Sequence, residues 1–264
     1  MNVLTISNQK GGVGKTTTAV TIAGLLALAG KRVLLVDLDP QCSLSHYFGF
    51  DPDSVDASLY DLFFSENEVT LQGIARATET DGLDVVSASP AMATLDRQLG
   101  TRQGQGLVLK RAVQAMDQQY DWVLLDCPPT LGMLMINALA ACNAVVLPTQ
   151  TEHLALKGLE RMLRTLEMVN RSRGVPLEYL IVPTMFDQRT RASHQALEHL
   201  TSRYADQLSE TVIPVDTMFR EASRRGIPLP QLNPQARGVK AFQALLKEIE
   251  RRGLGVPAPM AETA

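Results

Sequence analysis

Short apolar runs alternate along this chain with longer stretches in which apolar residues return every three or four positions. Val3–Ile6, Arg32–Asp37, Leu83–Ser87, Trp122–Asp126, Ala144–Pro148, Tyr179–Pro183 and Thr211–Val215 read as strands. They are nearly continuous apolar runs, the pattern of strands buried on both faces. Helical spacing covers Thr16–Ala29, Gly106–Gln119, Met133–Ala141, Leu154–Arg171, Ala192–Tyr204 and Gly238–Arg251. The stretch from Phe50 to Gly82 is the least regular and predicts short helices, including Ser58–Phe64. Strand–helix alternation of this kind predicts an α/β fold, a doubly wound, mostly parallel sheet flanked by helices. We read residues 1–252 as one domain and 253–264, rich in Pro, Ala and Gly, as a flexible tail.

Between the first strand and the first helix lies Lys10-Gly11-Gly12-Val13-Gly14-Lys15-Thr16-Thr17. A Gly-rich loop ending in Lys-Thr is a phosphate cradle, in which successive backbone N–H groups converge on phosphate oxygens. Lys15 would then reach the β/γ-phosphates and the Thr16 hydroxyl would face Mg²⁺. The strand–loop–helix frame that such a motif needs is present, and it aims a helix N-terminus at the same anion. The loop predicts a P-loop NTPase that binds ATP. Its additional lysine, Lys10, is poorly placed for its own loop's phosphates, which hints at a reach across an interface to a partner's nucleotide.

In open parallel sheets, ligand-binding residues sit at the carboxyl ends of strands. Two such ends carry acids: Asp37-Leu38-Asp39-Pro40-Gln41 and Asp126-Cys127-Pro128-Pro129. Asp126 occupies the position of a Mg²⁺-binding acid in P-loop folds. Alternation puts Asp37 and Asp39 on one side of their strand, so both are expected to face the nucleotide, with Asp39 further out where it would orient an attacking water.

Composition narrows the setting. The net charge is −3 over 264 residues, so any nucleic-acid binding must come from a local patch rather than a basic chain. Cys42, Cys127 and Cys142 show neither CxxC pairing nor partner histidines, and read as small hydrophobes of a reduced, cytoplasmic protein. No apolar run approaches the ~20 residues that span a bilayer, and no basic and apolar leader precedes the first strand. No cysteine arrangement offers iron–sulfur ligands, which weighs against an electron-transfer ATPase.

The lysine-flanked loop, Asp37–Gln41 and the segment Asp126–Gly132 (DCPPTLG) together resemble the deviant Walker-A ATPases of the ParA/MinD group, and within it the ParA/Soj branch. Pro183–Thr190 (PTMFDQRT) and Ile213–Ser223 (IPVDTMFREAS) extend the resemblance over nearly the whole chain. It implies a Mg²⁺-dependent ATPase that forms a homodimer around ATP, with Lys10, Lys15 and Asp39 as the catalytic residues. Lys10 would act across the dimer, Lys15 on the phosphates and Asp39 on the hydrolytic water. The nucleotide would contact Gly11, Gly12, Val13, Gly14, Lys15, Thr16 and Thr17, and the metal Thr16, Asp37 and Asp126. Pro214 and Asp216 would line the adenine pocket, with Asp216 where the family usually has Asn.

The branch also implies non-specific DNA binding, for which Arg189, Arg191, Arg220, Arg224 and Arg225 are the candidates. Met218 stands where related proteins carry a DNA-contacting arginine. Interspersed acids such as Glu198, Asp206, Glu210 and Glu221 offer the plainer reading of a solvated face. The partner would be a cargo adaptor, either a chemotaxis coupling protein or a ParB-like activator. The segments Asn137–Cys142, Gln150–Met162 and Ile213–Arg224 lean the resemblance toward ParA-like proteins of chemotaxis clusters, with a nucleoid-associated or polar location. A membrane anchor is not expected, since the stripe Val239, Phe242, Leu245, Leu246 and Ile249 reads more simply as a core face.

Overall fold

The apolar runs assemble into one sheet because none of them can stay wet on either face. In a computed structural model, residues 1–52, 54–64, 69–95, 98, 104–116 and 119–257 are described. The order is β1 (Asn2–Ile6), α1 (Lys15–Leu28), β2 (Val33–Asp37), α2 (Ser43–Tyr47), α3 (Asp61–Phe64), α4 (Leu71–Ile74), β3 (Ala75–Ala77), β4 (Leu83–Val86), α5 (Val108–Ala115), β5 (Trp122–Asp126), α6 (Met133–Ala141), β6 (Ala144–Gln150), α7 (His153–Arg173), β7 (Glu178–Thr184), α8 (Arg191–Tyr204), α9 (Met218–Arg225), α10 (Leu229–Leu232) and α11 (Arg237–Arg251).

Seven described strands pair in the order β3-β4-β2-β5-β1-β6-β7. All neighbours are parallel except β3, which runs antiparallel to β4 at the edge. Every residue of the central strands β2 and β5 is buried. Their alternate side chains feed two cores. Leu34, Val36, Val123, Leu125, Val145 and Leu147 pack with Leu109, Leu134, Met135, Leu159 and Met162 on one face. Leu4, Ile6, Leu35, Leu124 and Val146 pack with Ile22, Leu26, Phe242, Leu245 and Ile249 on the other. A doubly wound sheet therefore follows from strands that are apolar on both sides.

The stripe on α11 is buried in that second core, as a core-packing helix requires. At ~1.5–3 kcal/mol for each fully buried large side chain, Phe242, Leu245 and Ile249 alone hold the helix down strongly. No described helix is long and apolar enough to cross a membrane.

Some expectations change. Thr211–Val215 is not a strand: it meets the end of β7 through one isolated bridge, Phe186 with Pro214, flanked by Ile213 N–H to the Pro183 carbonyl at 2.8 Å and Phe186 N–H to the Ile213 carbonyl at 3.0 Å. Pro214 has no N–H to donate, which removes one of the few bonds so short a segment could add to the sheet. The helix expected from Gly106 is a 3₁₀ turn at Gln105–Leu107 followed by α5. The short helix expected from Ser58 begins at Asp61. The chain stays packed past residue 252: Val3 N–H donates to the Gly255 carbonyl at 3.0 Å, and Leu254 is buried. Residues 258–264, the remainder of the expected tail, lie outside the described residues.

Candidate nucleotide site

The loop between β1 and α1 is shaped by two glycines with positive φ, Gly12 at 73° and Gly14 at 89°. Gly14 is the N-cap of α1 in a left-handed conformation, where an L side chain would cost ~1–2 kcal/mol. No side chain caps this helix and no acid lies in its first turn. Its first intrahelical bond is Thr18 N–H to Gly14 carbonyl at 2.9 Å. The preceding N–H groups and the positive end of the dipole are thus left for an anion. Val13 turns its side chain into the core and its carbonyl accepts from Thr184 Oγ1 at 2.9 Å, anchoring the loop and leaving only its N–H for a ligand.

Gly11, Gly12, Gly14, Lys15, Thr16 and Thr17 line a cavity of about 500 Å³, closed on the other side by Asp39, Gln41, Tyr47, Pro129 and Arg220 among others. Lys15 is buried, and its Nζ donates to the Lys10 carbonyl at 3.3 Å. Burial pulls its pKa below the usual lysine value, against the opposing pull of the Asp126 and Asp39 carboxylates. Asp39 is half-buried on the wall, with Oδ1 accepting from Gln41 N–H at 3.0 Å.

Beneath the cavity, Asp37 and Asp126 end β2 and β5 as register partners. Thr16 Oγ1 donates to Asp126 Oδ2 at 2.6 Å, while Asp126 Oδ1 is buried with no partner among the described residues. Burial first, and the neighbouring Asp37 charge second, push Asp126 up to about 8. No described group of three or more His, Cys, Asp or Glu residues forms a metal cage by itself. That suits Mg²⁺, which takes one or two protein oxygens and completes its shell with waters and phosphate oxygens. The orphan Asp126 oxygen beside the Thr16 hydroxyl fits such an ion; bound there, Mg²⁺ would supply charge neutralisation for the phosphates.

Asp37 departs from expectation. Its Oδ1 accepts from Asp39 N–H at 3.0 Å, and its Oδ2 from Ser45 N–H at 2.9 Å and Ser45 Oγ at 2.8 Å. The side chain therefore builds the turn that carries Asp39 and the start of α2, rather than facing the nucleotide. Burial raises its pKa to about 6 against those three hydrogen bonds. Ser45, which sequence reading passed over, is what fixes Asp37.

A second cavity of about 360 Å³ adjoins the first, lined by Pro214, Val215, Asp216, Thr217, Ile213, Phe242 and residues of both walls. Pro214 and Asp216 both line this cavity, but the Asp216 carboxylate is engaged elsewhere. Its oxygens accept from Met218 N–H at 2.9 Å and Gly238 N–H at 3.0 Å, tying α9 to α11. Met185, at a strained φ of 52°, overhangs Gly14 between the two cavities.

Lys10 is not free. Its ammonium pairs with Glu152, just ahead of α7, and Gly158 of that helix approaches so closely that an added Cβ would sit 2.9 Å from Lys10 Cβ. Glu152 lay within the segment Gln150–Met162, and its place directly after a strand end was the available signal. Of the arginines, Arg189 grips Asp187 through two bonds, and Arg224 and Arg225 both hold Glu221. Arg191 is exposed with no ion pair among the described residues. The three cysteines are buried and form no disulfide. A larger cavity, about 1080 Å³, opens at the amino ends of β6 and β7 beside Lys110, Arg173 and Arg252, and shares no lining residue with the two cavities at the phosphate loop.

A phosphate loop with two lysines, a Thr–Asp pair beneath it and an acid on its wall, all at the carboxyl end of a parallel sheet, define a P-loop ATPase. Comparison with known proteins narrows the class. A family profile described as "AAA domain" matches residues 1–178. The chain is 38% identical over 252 residues to the sporulation initiation inhibitor protein Soj of Bacillus subtilis, covering 95% of this chain and 99% of that protein. It is 34% identical to the chromosome partitioning protein ParA of Myxococcus xanthus, covering 95% and 88%. Among solved structures, a cobyrinic acid a,c-diamide synthase from Mycobacterium smegmatis with bound ATP analogue and magnesium superposes with a TM-score of 0.83 at 32% identity, covering 98% of this chain and 99% of that one. The chain belongs to the ParA/Soj family of partition-type ATPases, with ATP and Mg²⁺ as cofactors.

Proposed function

We propose that this protein is a switch in which ATP closes a homodimer and hydrolysis opens it, so that cargo is held and then released. The observation that carries the reading is the pair of lysines at the two ends of one phosphate loop. Lys15 folds back over its own loop, whereas Lys10 points away to Glu152 at the surface. A lysine there supplies charge to a second protomer's phosphates, an electrostatic finger in trans. Asp39, on the cavity wall, orients the attacking water, and its position depends on the Asp37–Ser45 turn. Thr16 and Asp126 hold Mg²⁺, and the uncapped N-terminus of α1 binds the phosphate chain. A pure scaffold would need neither Asp39 nor the buried Thr16–Asp126 pair.

The cargo is read from the relatives. Those named for chromosome partitioning favour a replicon, carried through a ParB-like activator and non-specific DNA contacts in the cytoplasm. The segments Asn137–Cys142 and Gln150–Met162 favour the second reading, polar placement of a chemotaxis array through a coupling protein. Imaging a fluorescent fusion in cells lacking each candidate adaptor separates them. Partition predicts nucleoid patterns that collapse without the ParB-like protein; array placement predicts polar foci that disperse without the coupling protein.

A further inference from the structure

We propose that Arg220 is a ligand of the bound nucleotide, gripping it where the phosphates meet the ribose, rather than part of a DNA-facing surface. The proposal rests on the two adjoining cavities being one nucleotide site. Both cavities are lined by Gly14, Thr17, Met185, Phe219 and Arg220, so these residues stand on the boundary between the phosphate side and the base side. A nucleotide that lays its phosphates on the loop and its base beside Pro214 must cross that boundary. Arg220 is the cation on it.

Its neighbours are occupied and it is not. Glu221 holds Arg224 at 2.7 Å and Arg225 at 2.8 Å, which uses up the nearest carboxylate, while Arg220 forms no ion pair among the described residues. Asp216, the acid of the base-side cavity, is spent on two backbone N–H groups. Asp39 lies on the phosphate side, where Lys15 also draws on its charge. The cavity lining thus carries an exposed guanidinium with no ion pair among the described residues together with the buried Lys15, an arrangement that favours a polyanion.

The backbone that carries Arg220 is fixed. Its N–H donates to the Thr217 carbonyl at 3.1 Å. The Phe219 ring is clamped against Gly238, where an added Cβ would sit 2.5 Å from it, and meets Phe242 edge-on. A planar fork of five donors on a fixed turn suits phosphate oxygens in a way an ammonium does not.

The test is calorimetric binding of ADP with Mg²⁺, which needs no dimer, to wild type, Arg220→Ala, Arg220→Lys and Arg220→Gln. Lys31→Ala serves as a control for net charge alone. Loss of a charged hydrogen bond predicts ADP binding weakened about tenfold or more in the Ala and Gln variants. Arg220→Lys should recover it only in part, and Lys31→Ala should bind as wild type. Thermal melts without nucleotide identify any variant that fails to fold, and the remaining substitutions then decide. Wild-type affinity in a folded Ala or Gln variant overturns the proposal. Absence of ADP binding by wild type would instead overturn the nucleotide site as a whole.

Discussion

Lys10 is ion-paired in cis to Glu152, with side chains 24% and 41% exposed. A pair this open to solvent contributes only ~0–1 kcal/mol, whereas a lysine bonded to an ionised phosphate gains ~1.5–3 kcal/mol. Glu152 therefore holds Lys10 without locking it, and in the proposed dimer a second protomer's triphosphate would outcompete the carboxylate. Removing this carboxylate should ease closure. Glu152→Gln is expected to dimerise at a severalfold lower ATP concentration than wild type in sedimentation velocity. An unchanged or higher requirement would mean that Glu152 supports the dimer in some other way.

The buried carboxylates make the metal-free protein sensitive to alkali. Asp126 is raised to about 8 from an ordinary 3.8, so between those values the folded chain keeps a proton that the unfolded chain has released. Stability from this group is full below the unfolded value and is lost as pH climbs toward 8. Asp37, raised to about 6, acts in the same direction over a lower window. In chelator, the melting temperature of Asp126→Asn should gain on wild type steadily from pH 5 to pH 8 and run parallel above it. Parallel curves throughout would show that Asp126 is ionised in the resting site.

Non-specific DNA binding, if this chain uses it, should run through Arg191 more than through its neighbours. Arg189 would have to leave Asp187, and Arg224 and Arg225 to leave Glu221, to reach a phosphate, whereas Arg191 gives up no ion pair among the described residues. Arg191→Ala should weaken binding to duplexes of any sequence and reduce the salt slope by about one. Equal salt slopes for mutant and wild type in a titration of fluorescent duplex would remove Arg191 from the interface.

The local signals carried the frame of this protein. Trp122–Asp126 and Met133–Ala141 were legible to the residue because each is a nearly continuous apolar run, Asp126 and Asn137 being their only polar members. The loop was legible because its glycines are demanded by backbone geometry. What escaped depends on contacts distant in sequence. The three residues of β3 have no apolar period and exist as a strand only through β4. Helix α2 follows Cys42 at a φ of 55° and is held by the Asp37–Ser45 bonds. Asp216 was expected at the base from the family resemblance alone, yet two backbone N–H groups from separate helices claim its carboxylate. Glu152 became visible only once β6 delivered it to Lys10.

The central claim is that one loop's outer lysine completes another protomer's site, and light scattering with ATP–Mg²⁺ or ADP–Mg²⁺ tests it most directly. Wild type should be dimeric in ATP and monomeric in ADP, and Asp39→Ala should stay dimeric in ATP long after wild type has reverted. Lys10→Ala should bind nucleotide normally yet remain monomeric throughout. A Lys10→Ala protein that dimerises in ATP as wild type does would contradict the account.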